Sequence, residues 1–351
     1  MLSAFKKIFV FLSATVLALG TTVSCDGLIY DGEGDCAVTY RVKFRYDMNM
    51  KFADAFSHEV SRVTLYVLGG DGSIIWSKTE SGDALAAEDY SMVVDVPAGR
   101  YDLLAWCDSG DYGSFSVAKA DDKTDLKCSL NTKTATDGTP YVDSDIDRLY
   151  YGYLAGADFT ADEGTVVATV NLMKDTNHFS IVLQHISGEP MDKSKFSFSI
   201  VADNAFMDWD NSLILQGKPE ERPAPETSVD YRAWSVESGS ATIEKTTRAD
   251  ASLNVVIAEL TTARLFGARN DIHQPRLNVT NRESGKDVLS VPLIDFALLV
   301  KGKYNEAMED QEYLDRQDDY NMVFFLDDQD RWINTFIYIN SWKVVLQNED
   351  L

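Results

Sequence analysis

Few residues in this 351-residue chain have types and spacings that could do chemistry. The cysteines are Cys25, Cys36, Cys107 and Cys128, and the histidines are His58, His178, His185 and His273. His178 and His185 are seven positions apart, so on one continuous strand they point to opposite faces and cannot share a metal. No Cys-x-x-Cys, paired His, phosphate-cradling loop or nucleophile elbow is present. Asp143, Asp145 and Asp147 alternate like the start of a calcium loop. The positions that would need Gly and Glu hold Arg148 and Leu154, so the triplet reads as a solvated acidic loop. Asp327, Asp328 and Asp330 read the same way. We therefore expect no catalytic residue, no metal site and no cofactor.

The strongest local signal surrounds Cys25. Residues 1–24 carry Lys6 and Lys7 and no acid, followed by an apolar run over 8–20 and small or polar residues up to Ser24. That is a secretory signal. Its apolar run is too short to span a bilayer, which takes about 20 residues. A Cys straight after the small Ser24 resembles a lipoprotein cleavage site, with Thr22 where Leu is usual. Cys25 is thus the expected lipidation site. Buried acyl chains contribute about 0.8 kcal/mol per CH₂, so two or three chains hold firmly. Residues 25–36, rich in Gly and acids, read as a tether. Of the thiols left in an oxidising compartment, Cys107 and Cys128 are nearest in sequence and open to a disulfide, although spacing does not fix the connectivity.

Charge narrows the function classes. The chain has 56 Asp+Glu against 32 Lys+Arg, a net of −24, and losing residues 1–24 makes it −26. Nucleic-acid binding needs the opposite balance. So does electrostatic docking on anionic lipid. Aromatics at 11% and hydrophobics at 45% argue against disorder.

The elements that must position these residues read as strands. Val42, Phe44 and Tyr46 alternate with basic residues; Val63, Leu65 and Val67 share a face, as do Leu103, Ala105 and Cys107. Phe179, Ile181 and Leu183, then Phe196, Phe198 and Ile200, repeat the pattern. Later strands are expected over 253–260, 275–279, 288–293, 322–326 and 332–346, with one helix over about 295–317. Short strands separated by turns indicate β-sandwiches. Two fit the length, over 37–175 and 176–351. Trp209, Trp234, Trp332 and Trp342 could stack on sugars, but on strands they read as core.

The residues also carry a family resemblance. Cys25-Asp26, Cys36, residues 44–50 (FRYDMNM), 82–90 (GDALAAEDY) and 97–106 (PAGRYDLLAW) begin it. Residues 177–188 (NHFSIVLQHISG), 201–211 (VADNAFMDWDN), 291–299 (VPLIDFALL), 310–316 (DQEYLDR), 320–326 (YNMVFFL) and 339–342 (INSW) complete it. Together they resemble the FimB/Mfa2 family of fimbrial anchor subunits, outer-membrane lipoproteins of Bacteroidales. The resemblance implies an all-β chain of two tandem transthyretin-like Greek-key sandwiches, with a short helical insertion in the second. It implies a non-enzymatic anchor at the fimbrial base, held in the outer membrane by acyl chains, joined to stalk or accessory subunits by β-strand addition and ending subunit addition. Only five residues follow residue 346, too few for a free donor strand, which suits a terminating subunit. The first Arg, Arg41, lies inside the first strand, so maturation by cleavage after Arg is not expected. The alternative role is a tip or accessory adhesin of the same fold, binding a glycan or protein.

Overall fold

The computed structural model describes residues 38–110, 113–214, 228–243, 251–267, 274–302 and 305–346. Cys25, Cys36, His273 and residues 347–351 lie outside them. The chain divides into two compact units, Met1–Thr39 with Ala161–Val166 and Tyr40–Thr160 with Val167–Leu351. In the smaller, the Thr39 amide donates to the Gly164 carbonyl at 2.9 Å.

Through residue 174 the strands are β1 (Thr39–Met48), β2 (Arg62–Leu68), β3 (Ile74–Ser81), β4 (Met92–Val94), β5 (Gly99–Asp108), β6 (Phe115–Val117), β7 (Cys128–Leu130), β8 (Lys133–Thr134), β9 (Pro140–Val142), β10 (Leu149–Phe159) and β11 (Thr165–Lys174). After it come β12 (Thr176–His185), β13 (Phe196–Ala202), β14 (Phe206–Met207), β15 (Val229–Arg232), β16 (Ser235–Ile243), β17 (Ala251–Ala263), β18 (Arg276–Asn281), β19 (Lys286–Pro292), β20 (Asp319–Leu326), β21 (Phe336–Ile339) and β22 (Trp342–Val345). The described helices are short: α1 (Phe56–Glu59), α2 (Leu293–Leu298) and α3 (Asp310–Arg316).

A seven-stranded sheet runs β3-β2-β5-β10-β11-β1-β4. Its strands carry the expected alternation, with Val42, Phe44 and Tyr46 buried on β1 and Val63, Leu65 and Val67 buried on β2. The middle of β5 is buried from Leu103 to Cys107. Leu104 and Trp106 join a small core with Cys128 and Met207, while Leu103, Ala105 and Cys107 point to the other face.

Two six-stranded sheets, β16-β17-β12-β20-β21-β22 and β19-β18-β13-β15-β9-β8, share the main core. Phe179, Ile181 and Leu183 of β12 and Phe196, Phe198 and Ile200 of β13 all lie in that one buried cluster. Two sheets with interdigitating apolar faces make a β-sandwich. The protein is mostly β-sheet, with minor helical content. The sheets are mixed, because β12 pairs with β20 in parallel and with β17 antiparallel.

Strand pairing also ties distant stretches together. β9 pairs in parallel with β15, Tyr141 opposite Asp230. β7 pairs antiparallel with β14, Cys128 opposite Met207. Leu130, Val142 and Ile146 thus enter the core built mainly by residues after 176.

Three expectations are corrected. The helix over 295–317 is two short helices, separated by a turn in which Gly302 has φ +60°. The strand over 332–346 is a hairpin of β21 and β22, Ile339 opposite Trp342. Its two-residue loop, Asn340-Ser341, has φ of +48° and +70°, which fits the type I′ turn that matches strand twist. Asp147 is fully buried rather than solvated. It accepts from the Ser114 amide at 2.8 Å and the Ser109 hydroxyl at 3.1 Å, stitching the loop after β5 to the start of β10.

Candidate binding cleft and open sheet edges

Cys107 and Cys128 are both free and buried. Cys128 packs on the β5 face that carries Leu104 and Trp106, and Cys107 alternates to the opposite face. The sheet stands between the two thiols, so the bridge suggested by their spacing is not formed. Burial pushes both thiols well up from their ordinary range, which keeps them protonated and inert.

His178 and His185 sit beside separate carboxylates. His178 lies 3.0 Å from Glu259 and 3.2 Å from Asp319. Its hydrogen bond with Asp319 raises its pKa against the effect of partial burial. His185 is buried, with Nε2 2.9 Å from Asp330. Among the described residues no group of three His, Cys, Asp or Glu is placed to hold a metal, and no described helix is long and apolar enough to cross a membrane. Arg41, inside β1, donates to the Ser91 hydroxyl at 2.8 Å.

Two buried polar clusters sit where β11 passes into β12. Lys174 pairs with Glu59 of α1 at 2.7 Å and with Asp318 just before β20. Burial pulls its ammonium down, but Asp318 and Glu59 outweigh that and hold it above the usual lysine range. The next residue, Asp175, is fully buried and accepts from Asn211 Nδ2 at 3.0 Å. Arg264 forks onto Asp315 with two bonds of 2.8 Å and passes 3.8 Å from Asp175. Burial raises the Asp175 carboxyl to about 7, and the Arg264 charge only partly offsets it. These clusters join segments; neither opens a cleft.

The tryptophans divide. Trp332 packs against the main core beside Phe324, ring centres 5.8 Å apart. Trp209 packs against the small core, with the Lys123 ammonium 4.2 Å from its ring centre. Trp234 is at the surface, its Nε1 donating to Thr261 Oγ1 at 3.2 Å. Trp342 is 65% exposed on β22, and Val345 on the same strand is 66% exposed.

Trp342 borders a cleft of about 640 Å³. Met50 beyond β1, Leu299 and Asn305 from the α2–α3 connection, Tyr313 of α3 and the β21–β22 hairpin all reach it. The hairpin is pinned by a reciprocal pair, Asn321 N–H to Asn340 Oδ1 and Asn340 N–H to the Asn321 carbonyl, both 2.8 Å. The sequence named Trp342 as able to stack on sugars but read it as core, because the hairpin was read as one strand; the structure leaves it exposed.

Open edges are the second feature. The outermost strands are β3 and β4, β16 and β22, and β19 and β8. The longest are β16 with nine residues, β3 with eight and β19 with seven. An edge strand offers unpaired N–H and C=O groups to an added strand. The start of β3 is already covered, its Ile74 amide donating to the Asp121 carbonyl at 2.8 Å.

Residues 33–348 match the family model described as fimbrillin-A associated anchor proteins Mfa1 and Mfa2. Comparison with the curated proteins gives no match. Among solved structures, a candidate adhesin from Bacteroides thetaiotaomicron VPI-5482 is 32% identical, with TM-score 0.74 over 88% of this chain and 97% of that one. A candidate polysaccharide-binding protein from the same organism is 28% identical, with TM-score 0.73 over 90% of this chain and all of the other. The fimbrial anchor protein Mfa2 from Porphyromonas gingivalis shares the fold, with TM-score 0.61 at 15% identity over 89% of this chain and all of the other.

Proposed function

The chain belongs to the family of fimbrillin-A associated anchor proteins, and from that premise we propose that it is a cell-surface fimbrial subunit with an adhesive role, at the tip or as an accessory component. It is not an enzyme; its family is one of fimbrial proteins. The observation that carries the adhesive role is the 32% identity, over 97% of its length, to a candidate adhesin. The exposed Trp342 beside an open cleft fits that role.

In this reading the chain folds as two transthyretin-like sandwiches. It joins stalk or accessory subunits by strand addition along one of the long edges, β16, β3 or β19. Main-chain hydrogen bonds then supply the strength of the joint. Cys25 carries the acyl chains that keep the protein at the outer membrane.

A second reading is an anchor at the fimbrial base that limits fimbrial length. Cys25 and the description of the family model favour it. Immunogold labelling separates the two, combined with a deletion strain. An adhesin labels the tip or shaft, and its deletion removes adherence while fimbriae stay attached. An anchor labels the base, and its deletion sheds long fimbriae into the medium.

A further inference from the structure

We propose that a shallow dish on the outward face of the seven-stranded sheet, spanning β1, β11 and β10, binds one neutral pyranose ring of a glycan. This ligand class rests on the adhesive reading and names what that adhesin grips.

Strand alternation brings the side chains to one face. Val42, Phe44 and Tyr46 point into the core from β1, so Asp47 points outward. On β11 Val170 and Leu172 are buried, which turns Asn171 and Met173 outward. On β10 Tyr151 stands opposite Met173, so Tyr151 and Tyr153 share that outward face. The three strands are neighbours, in the order β10-β11-β1. These residues and Met48 line a cavity of about 300 Å³. It lies at the margin of the small core around Trp106 and Met207, which takes in Tyr151, and Tyr153 meets Trp209 edge-on at 5.8 Å. Small-ligand sites run from roughly 300 to 1,000 Å³. A cavity at the low end admits one sugar ring and leaves the rest of a glycan in water.

The lining has the chemistry of a sugar site. A half-buried tyrosine ring suits the apolar face of a pyranose. The Asp47 carboxylate and the exposed Asn171 amide suit its hydroxyls, because together they supply acceptors and donors. Asp47 is the one charged residue in the lining, and Arg45 pairs with it at 2.8 Å. The charges cancel, so no field selects an acidic or a basic ligand. A single arginine bond leaves further lone pairs on the carboxylate to accept from hydroxyls.

The dish is also ordered before binding, which lowers the cost of filling it. Tyr153 donates its hydroxyl proton to Asp102 Oδ2 at 2.5 Å. Asn211 Nδ2 donates to Met173 Sδ at 3.3 Å. Arg316 Nη1 donates to the Asp47 carbonyl at 3.1 Å and pins the end of β1. An apolar peptide side chain is the less apt occupant, because it would strip water from Asp47 and Asn171 and give nothing back.

The test uses the purified mature full chain and the methyl glycosides of glucose, galactose and mannose. The uronic acid and amino sugar of each are the charged counterparts, and N-acetylleucinamide stands in for a peptide side chain. Binding is read from methionine-methyl NMR. Met48 and Met173 report from the dish, and Met191 and Met322 from the main core. At least one glycoside should shift the first two signals and not the second two, and should bind more tightly than its charged counterparts. Asp47→Ala and Asn171→Ala should each weaken binding about tenfold. Both should leave the melting temperature unchanged, because Asn171 is exposed and the Arg45–Asp47 pair is open to solvent. The dish is misassigned if no glycoside shifts Met48 and Met173, or if either variant binds as the parent does. It is equally misassigned if a charged counterpart binds as tightly, or if N-acetylleucinamide takes the site in place of the sugars. Adherence of whole cells separates this failure from failure of the adhesive role. If deletion abolishes adherence and Asn171→Ala does not, the dish is wrong and the adhesin stands. If deletion leaves adherence intact, the adhesive role itself falls.

Discussion

Arg264 holds two carboxylates out of water, Asp315 through a two-bond fork and Asp175 at 3.8 Å. Removing one member of a buried ion cluster strands the others, which costs about 3–5 kcal/mol. Arg264→Ala should therefore lower unfolding stability by that order in urea titrations. Asp175 gives a pH signature of opposite sign to the usual carboxylate. Burial raises it from 3.8 to about 7 in the folded chain, so between about pH 4 and 7 the folded state binds a proton that the unfolded state has lost. Stability then falls as pH rises through that window. At about 1.4 kcal/mol per pKa unit the effect is on the order of 4 kcal/mol. Asp175→Asn should flatten the slope between pH 4 and 7 and gain most at pH 8, as read from denaturation midpoints against pH. None of this was legible in the sequence. Asp175 and Arg264 carry no local pattern, because a buried charge is defined by side chains that arrive from four separate segments. Asp147 was misread for the same reason, since its partners Ser109 and Ser114 lie more than thirty positions away.

Single strands were easier to read than their ends. Alternation located β1, β2, β12 and β13 and named their buried faces, because one side of each meets a core; on β5, buried on both sides, it named one of two faces. It failed at the C-terminal hairpin, where Asn340-Ser341 reverses the chain without a Gly or Pro to announce it. It failed again over 295–317, where helical spacing persists on both sides of a turn set by Gly302. The hairpin makes a prediction. Ser341 holds φ +70°, a region that disfavours side chains and suits glycine. Ser341→Gly should raise stability by about 0.5–1 kcal/mol, seen as a higher melting temperature. Gly152 is the converse case. A Cβ there would lie 2.6 Å from Val170 Cγ1 and 2.7 Å from the Asn171 carbonyl oxygen. Gly152→Ala should destabilise by about 1–3 kcal/mol, checked in the same assay.

Fold class was readable in the whole sequence, while the way the chain closes on itself was not. The proposed lipid hold belongs to this scale. Cys25→Ala should abolish acyl labelling and move the protein from the membrane fraction to the soluble one, and a variant that still labels and sediments would refute the tether. No strand was expected between β5 and β10, and β7 and β9, which lie there, are the ones that cross. β7 and β9 pair locally with β6 and β8, but the second neighbours of β7 and β9, β14 and β15, lie in residues 206–232. A chain made from its N-terminus must carry one open edge on each of these strands while some ninety further residues are synthesised. Such bare edges are prone to wrong pairing. Fragments 37–175 and 176–351 made apart should each be poorly soluble, the first with β7 and β9 open along one edge and the second lacking Leu130, Val142 and Ile146 from its core. Made together, they should rescue one another. These strands are thus completed late, which favours keeping residues 128–142 from pairing wrongly until residues 206–232 have been made.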